Sequence, residues 1–251
     1  MVVLRARDEK RGIQAVENLK GSGFSDVVFH RLDVMDPSSI PSLEDFIRTN
    51  FGKLNILSRS SSKVFSGTEA LQIVSLMKIV KASAIKDSSR PPFWVSYENL
   101  DLQVNNAEIN GSIIDIDAVR ALRTADDELK GEEINWNDIS TQAYELGEEC
   151  LKTNYYGTKR VTEALIPLLK LSNSARIVNV SSSIIKIQKI SNEKAKEVLS
   201  DVDGLTEERV DEMLNGFLKD FKENLLEIKG WPSPLSAYTV SKVAIMATQG
   251  F

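Results

Sequence analysis

Short apolar, β-branched runs alternate along this chain with longer stretches in which apolar residues recur every three or four positions. That alternation predicts strands joined through helices, and so a parallel sheet covered by helices. "VVL" at 2 to 4 reads as a strand. From Asp8 to Lys20 the spacing predicts a helix with Ile13, Val16 and Leu19 on one face, ended at Gly21 by "GSG", whose glycines tolerate positive φ. "VVFHRLDV" at 27 to 34 is the next strand. Asp36 is expected to cap a helix with Pro37 in its first position and Ile40, Leu43, Phe46 and Ile47 as the buried stripe. "LNIL" at 54 to 57 opens a third strand.

Residues 58 to 103 break this rhythm with a serine cluster, a short helical spacing from Glu69 to Lys81 and a "PPFW" turn, and yield no strand and helix unit. With that stretch set aside, "LNIL" runs into "VNNA" as one buried strand ending in polar residues. The stretch therefore reads as an atypical insertion within a central strand, a place natural insertions avoid, and translated intron sequence is its expected origin. Beyond it come an amphipathic pattern from Thr141 to Leu171 and a strand, "ARIVNVSSS" at 175 to 183, that stops in three serines. A polar helix at 205 to 226 carries Val210, Met213, Leu214, Phe217 and Phe221 on one face, and a last helix starts near Ser236.

With 251 residues, 42% of them hydrophobic, the chain has material for a large core, and one domain over 1–251 is expected. A net charge of -5 with no concentrated basic patch argues against nucleic acid. One cysteine, Cys150, and one histidine, His30, exclude an internal disulfide and argue against a zinc site. The N-terminus becomes charged after four residues, and no apolar run reaches the ~20 residues of a membrane helix. The expectation is a cytoplasmic protein with a small-molecule partner and neither membrane nor metal.

In an open parallel sheet, ligands bind beyond the carboxyl ends of the strands, which places Ser182 of "VNVSSS" where a substrate would meet it. "SAYTVSK" sets Tyr238 four residues ahead of Lys242, one helical turn apart, so that the ammonium favours ionisation of the phenol. "TNYYGTK" sets Tyr155 four residues ahead of Lys159 in the same way. Spacing does not choose between the two pairs.

In order, the chain carries "ARD" with Arg7, "LDV" with Asp33 and Val34, "NNA" (Asn105, Asn106, Ala107), "TNYYG" with Asn154, "VNVSSS" with Ser182, and "SAYTVSK". This series resembles the short-chain dehydrogenase/reductase family, and within it the plant carbonyl reductases, over residues 2 to 57 and 104 to about 245. The resemblance implies a Rossmann-like doubly wound α/β sheet and reduction of a ketone, of the terpenoid or alkaloid class, by NADPH. Tyr238 would be the acid, Lys242 would tune it and hold the nicotinamide ribose, Ser182 would bind the substrate oxygen, and Asn154 would organise a water linking the lysine to bulk solvent. Arg7 would pair with the adenosine 2′-phosphate, Asp33 and Val34 would contact adenine, and Asn105, Asn106 and Ala107 would pass behind the adenosine ribose. Tyr155 and Lys159 would be structural. The helical segment at 205 to 226 would cover the face that other members use to form tetramers, which implies a monomer.

Three departures stand against that pattern. The family's Thr-Gly-x-x-x-Gly-x-Gly turn is absent, so the first βα unit is expected to be missing. Residues 58 to 103 interrupt a strand, and "NNAE" puts Glu108 where the family has a glycine. The family also continues past the segment ending at Phe251 through further C-terminal elements. The rival expectation is a truncated, non-catalytic remnant that binds no cofactor. A sugar-nucleotide epimerase, which also uses Tyr-x-x-x-Lys, normally needs a larger C-terminal substrate domain.

Overall fold

In the computed structural model, residues 1–60, 102–105, 109–115, 117–118, 139–173, 175–180, 190–201 and 203–248 are described, with backbone alone at 56, 58–60, 102–105 and 178–180. They fall into two units, 1–108 with 156–182 and 109–155 with 183–251. The expected helix at 69 to 81 lies outside the described residues.

The first unit begins with β1 (Val2–Ala6), whose consecutive buried Val2, Val3, Leu4 and Arg5 suit a central parallel strand covered on both faces. Asp8 caps α1 (Glu9–Gly21) by accepting the Arg11 backbone N–H at 3.0 Å. The buried stripe of α1 is Gly12, Ala15, Val16 and Leu19, whereas the expected Ile13 is 46% exposed. The cause is a close approach: a Cβ on Gly12 would come within 2.0 Å of the Phe29 ring on β2 (Val27–Arg31), so small residues face the sheet and Ile13 turns outward. The helix α2 (Ser39–Phe51) starts later than expected, and Pro37 lies before it. Asp36 instead closes the preceding turn, accepting from the Ser38 N–H at 2.9 Å and the Ser38 hydroxyl at 2.8 Å.

The core on one face joins Val3 and Leu57 of the sheet, Ile40, Leu43 and Ile47 of α2, and Val161, Leu165, Leu168 and Leu169 of a later helix, Thr158–Lys170. Each such fully buried aliphatic side chain contributes about 1.5–3 kcal/mol. Phe46 is only partly buried against this cluster.

"LNIL" and "VNNA" do not form one strand. Residues Ile56–Ser60 make β3, which runs on through the "SRS" assigned to the insertion, and Leu102–Asn105 make a separate β4. The five-stranded parallel sheet, completed by β7 (Arg176–Val180), runs β2-β1-β4-β3-β7. In the doubly wound order 3-2-1-4-5, β4 thus occupies the place of a first strand. It pairs Leu102 with both Val2 and Ile56, and so bridges β1 and β3.

The second unit contains a two-stranded antiparallel ribbon, β5 (Ile113–Ile114) with β6 (Ser140–Thr141), and then α3 (Tyr144–Leu151). The long pattern at 141 to 171 is not one helix. It passes from α3 through a π-helical segment, Lys152–Gly157, into α4 (Thr158–Lys170), which belongs to the first unit. Asn192 caps α5 (Glu193–Ser200) and Thr206 caps α6 (Glu207–Lys222). The buried face of α6 is the expected one, Val210, Met213, Leu214, Phe217 and Phe221. Phe217 packs on Trp231 at 5.1 Å and on Phe221 at 5.7 Å between ring centroids. The last helix, α7, is Ser236–Ala247.

Candidate active site

The start of α7 is built by residues that cannot cap it alone. Leu235 precedes the helix in the left-handed region, with φ 58, and offers no side-chain oxygen. The Gln142 side chain replaces the missing cap, accepting the Ser236 N–H at 2.7 Å, while the Ser236 hydroxyl donates to the Pro232 carbonyl at 2.6 Å. One turn on, the alternation of small and apolar residues packs nearly the whole helix inward: every residue from Thr239 to Ile245 is buried.

Tyr238 and Lys242 share one face of this helix. Tyr238 is half-buried, Lys242 is only 2% exposed, and the Lys242 Nζ lies over the Tyr238 ring at 5.4 Å from its centre. A buried ammonium in that position stabilises negative charge left on the phenol by proton transfer.

Asn154 sits in the π segment, a geometry that recurs at functional sites because the extra residue re-aims the chain. It is fully buried, and its Oδ1 accepts the Ile109 N–H at 3.0 Å while its Nδ2 donates to the Ile109 carbonyl at 2.9 Å. The same Nδ2 reaches Ser241 Oγ at 3.1 Å and Cys150 Sγ at 3.2 Å. The second tyrosine of equal spacing, Tyr155, is 1% exposed and lies in the same π segment.

Arg7, Asp33, Val34 and Asn105, the residues expected on the nucleotide side, belong to the first unit. Arg7 is exposed just beyond the carboxyl end of β1, and its carbonyl accepts from the Arg31 Nε at 3.3 Å, so two guanidinium-bearing residues end adjacent strands. Such a pair suits a phosphate ester. Asp33 is half-buried; its N–H donates to Ser39 Oγ at 2.9 Å and its Oδ1 accepts the Met35 N–H at 3.0 Å. The Val34 side chain is 5% exposed and its carbonyl accepts from Arg160 Nη2 at 2.8 Å. Asn105 ends β4. Asn106, Ala107 and Ser182 lie outside the described residues. Among the described glycines none follows a strand at a helix N-terminus. Among the described residues no group of three or more His, Cys, Asp and Glu could hold a metal, and no helix is long and apolar enough to cross a membrane.

No family model matches the chain. The solved structure of salutaridine reductase from Papaver somniferum does: it is 42% identical, with a TM-score of 0.74, over 98% of this chain and 71% of its own. The chain belongs to the short-chain dehydrogenase/reductase family. Members of this oxidoreductase family that it resembles include the (+)-neomenthol dehydrogenase of Arabidopsis thaliana, 43% identical over 97% of this chain and 66% of its own length. A more distant one is carbonyl reductase (NADPH) 1 of Bos taurus, 30% identical over 97% of this chain and 61% of its own. The chain spans about two thirds of the length of the curated plant relatives it matches.

Sequence reasoning passed over Arg31, Cys150 and Ser241. Arg31 was detectable as a second basic residue ending a strand. Cys150 and Ser241 gave no signal as partners of Asn154, which they contact from 4 and 87 positions away.

Proposed function

We propose that this chain reduces a small ketone of the terpenoid or alkaloid class to its alcohol with NADPH as the reductant. The observation that carries the reading is the Lys242 ammonium over the Tyr238 ring at 5.4 Å, in the same unit as the buried Asn154. The substrate class is supported by the names of the plant relatives, and NADPH by the name of the bovine one and by the exposed Arg7 beside Arg31.

Bound NADPH supplies the hydride. Tyr238 delivers its proton to the carbonyl oxygen as charge develops there, and Lys242 stabilises the phenolate that remains. Ser182 donates a hydrogen bond to the same oxygen. Asn154 orders the water through which Lys242 reaches bulk solvent. Arg7, with Arg31, would hold the adenosine 2′-phosphate, Asp33 and Val34 would line the adenine, Asn105, Asn106 and Ala107 would back the adenosine ribose, and Lys242 would hold the nicotinamide ribose. A monomer fits an α6 whose apolar face is buried within its own unit, and a reducing cytoplasm fits a single cysteine, Cys150, that is buried.

The deciding experiment is a titration of the purified chain with NADPH, followed by fluorescence, with ketone-dependent NADPH oxidation assayed in parallel. Saturable binding and turnover are the expected results. Absence of binding at millimolar NADPH would overturn the reading in favour of a non-catalytic remnant.

A further inference from the structure

The amide of Asn154 has a partner that no motif announces. Ser241 lies on α7 between the two residues of the candidate proton relay, is fully buried, and bonds in two directions. Its hydroxyl donates to the Tyr238 carbonyl at 2.7 Å, and its Oγ accepts from Asn154 Nδ2 at 3.1 Å. A serine inside a helix commonly bonds back to its own preceding turn, and that bond by itself would mean little. The two bonds together do more. Because the single hydroxyl proton is committed to Tyr238, Ser241 offers Asn154 only lone pairs. An inverted Asn154 amide would set its oxygen against those lone pairs and also against the Ile109 carbonyl, which its Nδ2 now meets at 2.9 Å. Its NH₂ would then face the Ile109 N–H, which now donates to Oδ1 at 3.0 Å. One orientation satisfies Ile109 and Ser241 together, and Asn154, Ser241 and Cys150 are all fully buried.

We propose that Ser241 is a positioning residue that locks the Asn154 side-chain amide in one orientation and ties it to the backbone of the residue bearing the phenol. The proposal rests on the reductase reading above, in which Asn154 serves proton supply. Ser241 itself touches no reacting atom, and its effect passes through Asn154. Cys150 adds a weaker sulfur acceptor at 3.2 Å and does not set the amide's direction, since sulfur bonds poorly and its own S–H is spent on the Ile109 carbonyl at 3.3 Å.

The test is a double-mutant cycle on the whole chain with Ser241→Ala, Asn154→Ala and the double variant, using NADPH and menthone among a panel of cyclic ketones. Side-chain amide signals of isotope-labelled protein are recorded alongside. Ser241→Ala is expected to lower kcat by about threefold to tenfold, the range of one neutral hydrogen bond, with NADPH affinity unchanged. In the Asn154→Ala background the same substitution is expected to cost nothing further, because its target is gone. The Asn154 Nδ2 protons are expected to exchange faster in Ser241→Ala. Losses that multiply in the double variant, full activity of Ser241→Ala, or unchanged amide protons would each overturn the lock. A wild-type chain without ketone turnover whose amide protons still respond to Ser241→Ala would defeat the reductase reading alone and uphold the lock.

Discussion

Lys242 places its ammonium over the ring of Tyr238, 5.4 Å from the ring centre and one turn along the same buried helix. A lysine that is 2% exposed has lost most of its hydration, so its field at the phenol is far less damped than it would be at the surface. In the proposed mechanism this pair carries the proton transfer. In the alcohol-oxidising direction, where the phenolate is the base, Lys242→Met should move the rise of the pH–rate profile to higher pH, toward the range of an ordinary tyrosine near 10. A profile that does not move would separate the lysine from the phenol's chemistry.

Arg7 and Arg31 end neighbouring strands, joined through the Arg7 carbonyl at 3.3 Å. Charge-assisted bonds to a phosphate are worth about 1.5–3 kcal/mol, so Arg7→Ala should raise the Kd for NADPH by about tenfold to a hundredfold. Affinity for NADH, which lacks the 2′-phosphate, should stay the same. Equal loss for both cofactors in paired titrations would assign Arg7 a different task.

How far the sequence foretold these features varies by element. Face patterns were readable where one contact surface sets the helix, as on α6, whose five buried apolar residues follow from periodicity alone. On α1 periodicity misplaced Ile13, because the stripe there is decided by the Phe29 ring pressing on Gly12, a contact made through tertiary packing. Strand identity near "LNIL" turns on the stretch from 58 to 103. Removing 58 to 103 makes a continuous apolar run, but the sheet takes its two halves as β3 and β4, side by side. The Tyr238 and Lys242 pair was legible as spacing, and the choice over Tyr155 and Lys159 depended on the family order of motifs. The environment of Asn154 was not legible, since Ile109 and Ser241 lie 45 and 87 positions away from it.

Phe217 anchors the aromatic cluster of the second unit against Phe221 and Trp231. It is fully buried, and its removal leaves a cavity between α6 and the Trp231 indole, whose Nε1 is fixed on Asp220 Oδ2 at 2.9 Å. Phe217→Ala should cost about 3–5 kcal/mol in urea unfolding. A cost below about 1 kcal/mol would show that the cluster collapses to fill the space.

His30 gives unfolding a pH signature. Its ring lies 4.7 Å from that of Phe46, and its Nδ1 is buried without a hydrogen-bond partner. Burial, helped by the Arg5 charge, pushes its pKa below the ordinary value, outweighing a backbone hydrogen bond at Arg31 that raises it. The folded chain therefore binds fewer protons than the unfolded chain between the two values. Stability is full above about pH 6.5 and falls as pH drops toward the lowered folded value. His30→Gln should flatten that fall in urea midpoints. Asp36 and Asp201, held below the usual carboxylate range chiefly by side-chain hydrogen bonds from Ser38 and Arg209, lose their contributions only below about pH 4 and leave this window clear. An unchanged slope in His30→Gln would assign the effect elsewhere.

The most direct measurement compares Tyr238→Phe with the wild-type chain in NADPH-dependent ketone reduction and in NADPH binding. Loss of the phenolic proton donor, with ring and packing kept, should lower kcat at least a hundredfold, the lower end of general acid catalysis, while the NADPH Kd stays within about twofold. Turnover that survives the substitution would contradict the assignment of Tyr238 as the acid, and with it the reductase mechanism built on the Tyr238 and Lys242 pair.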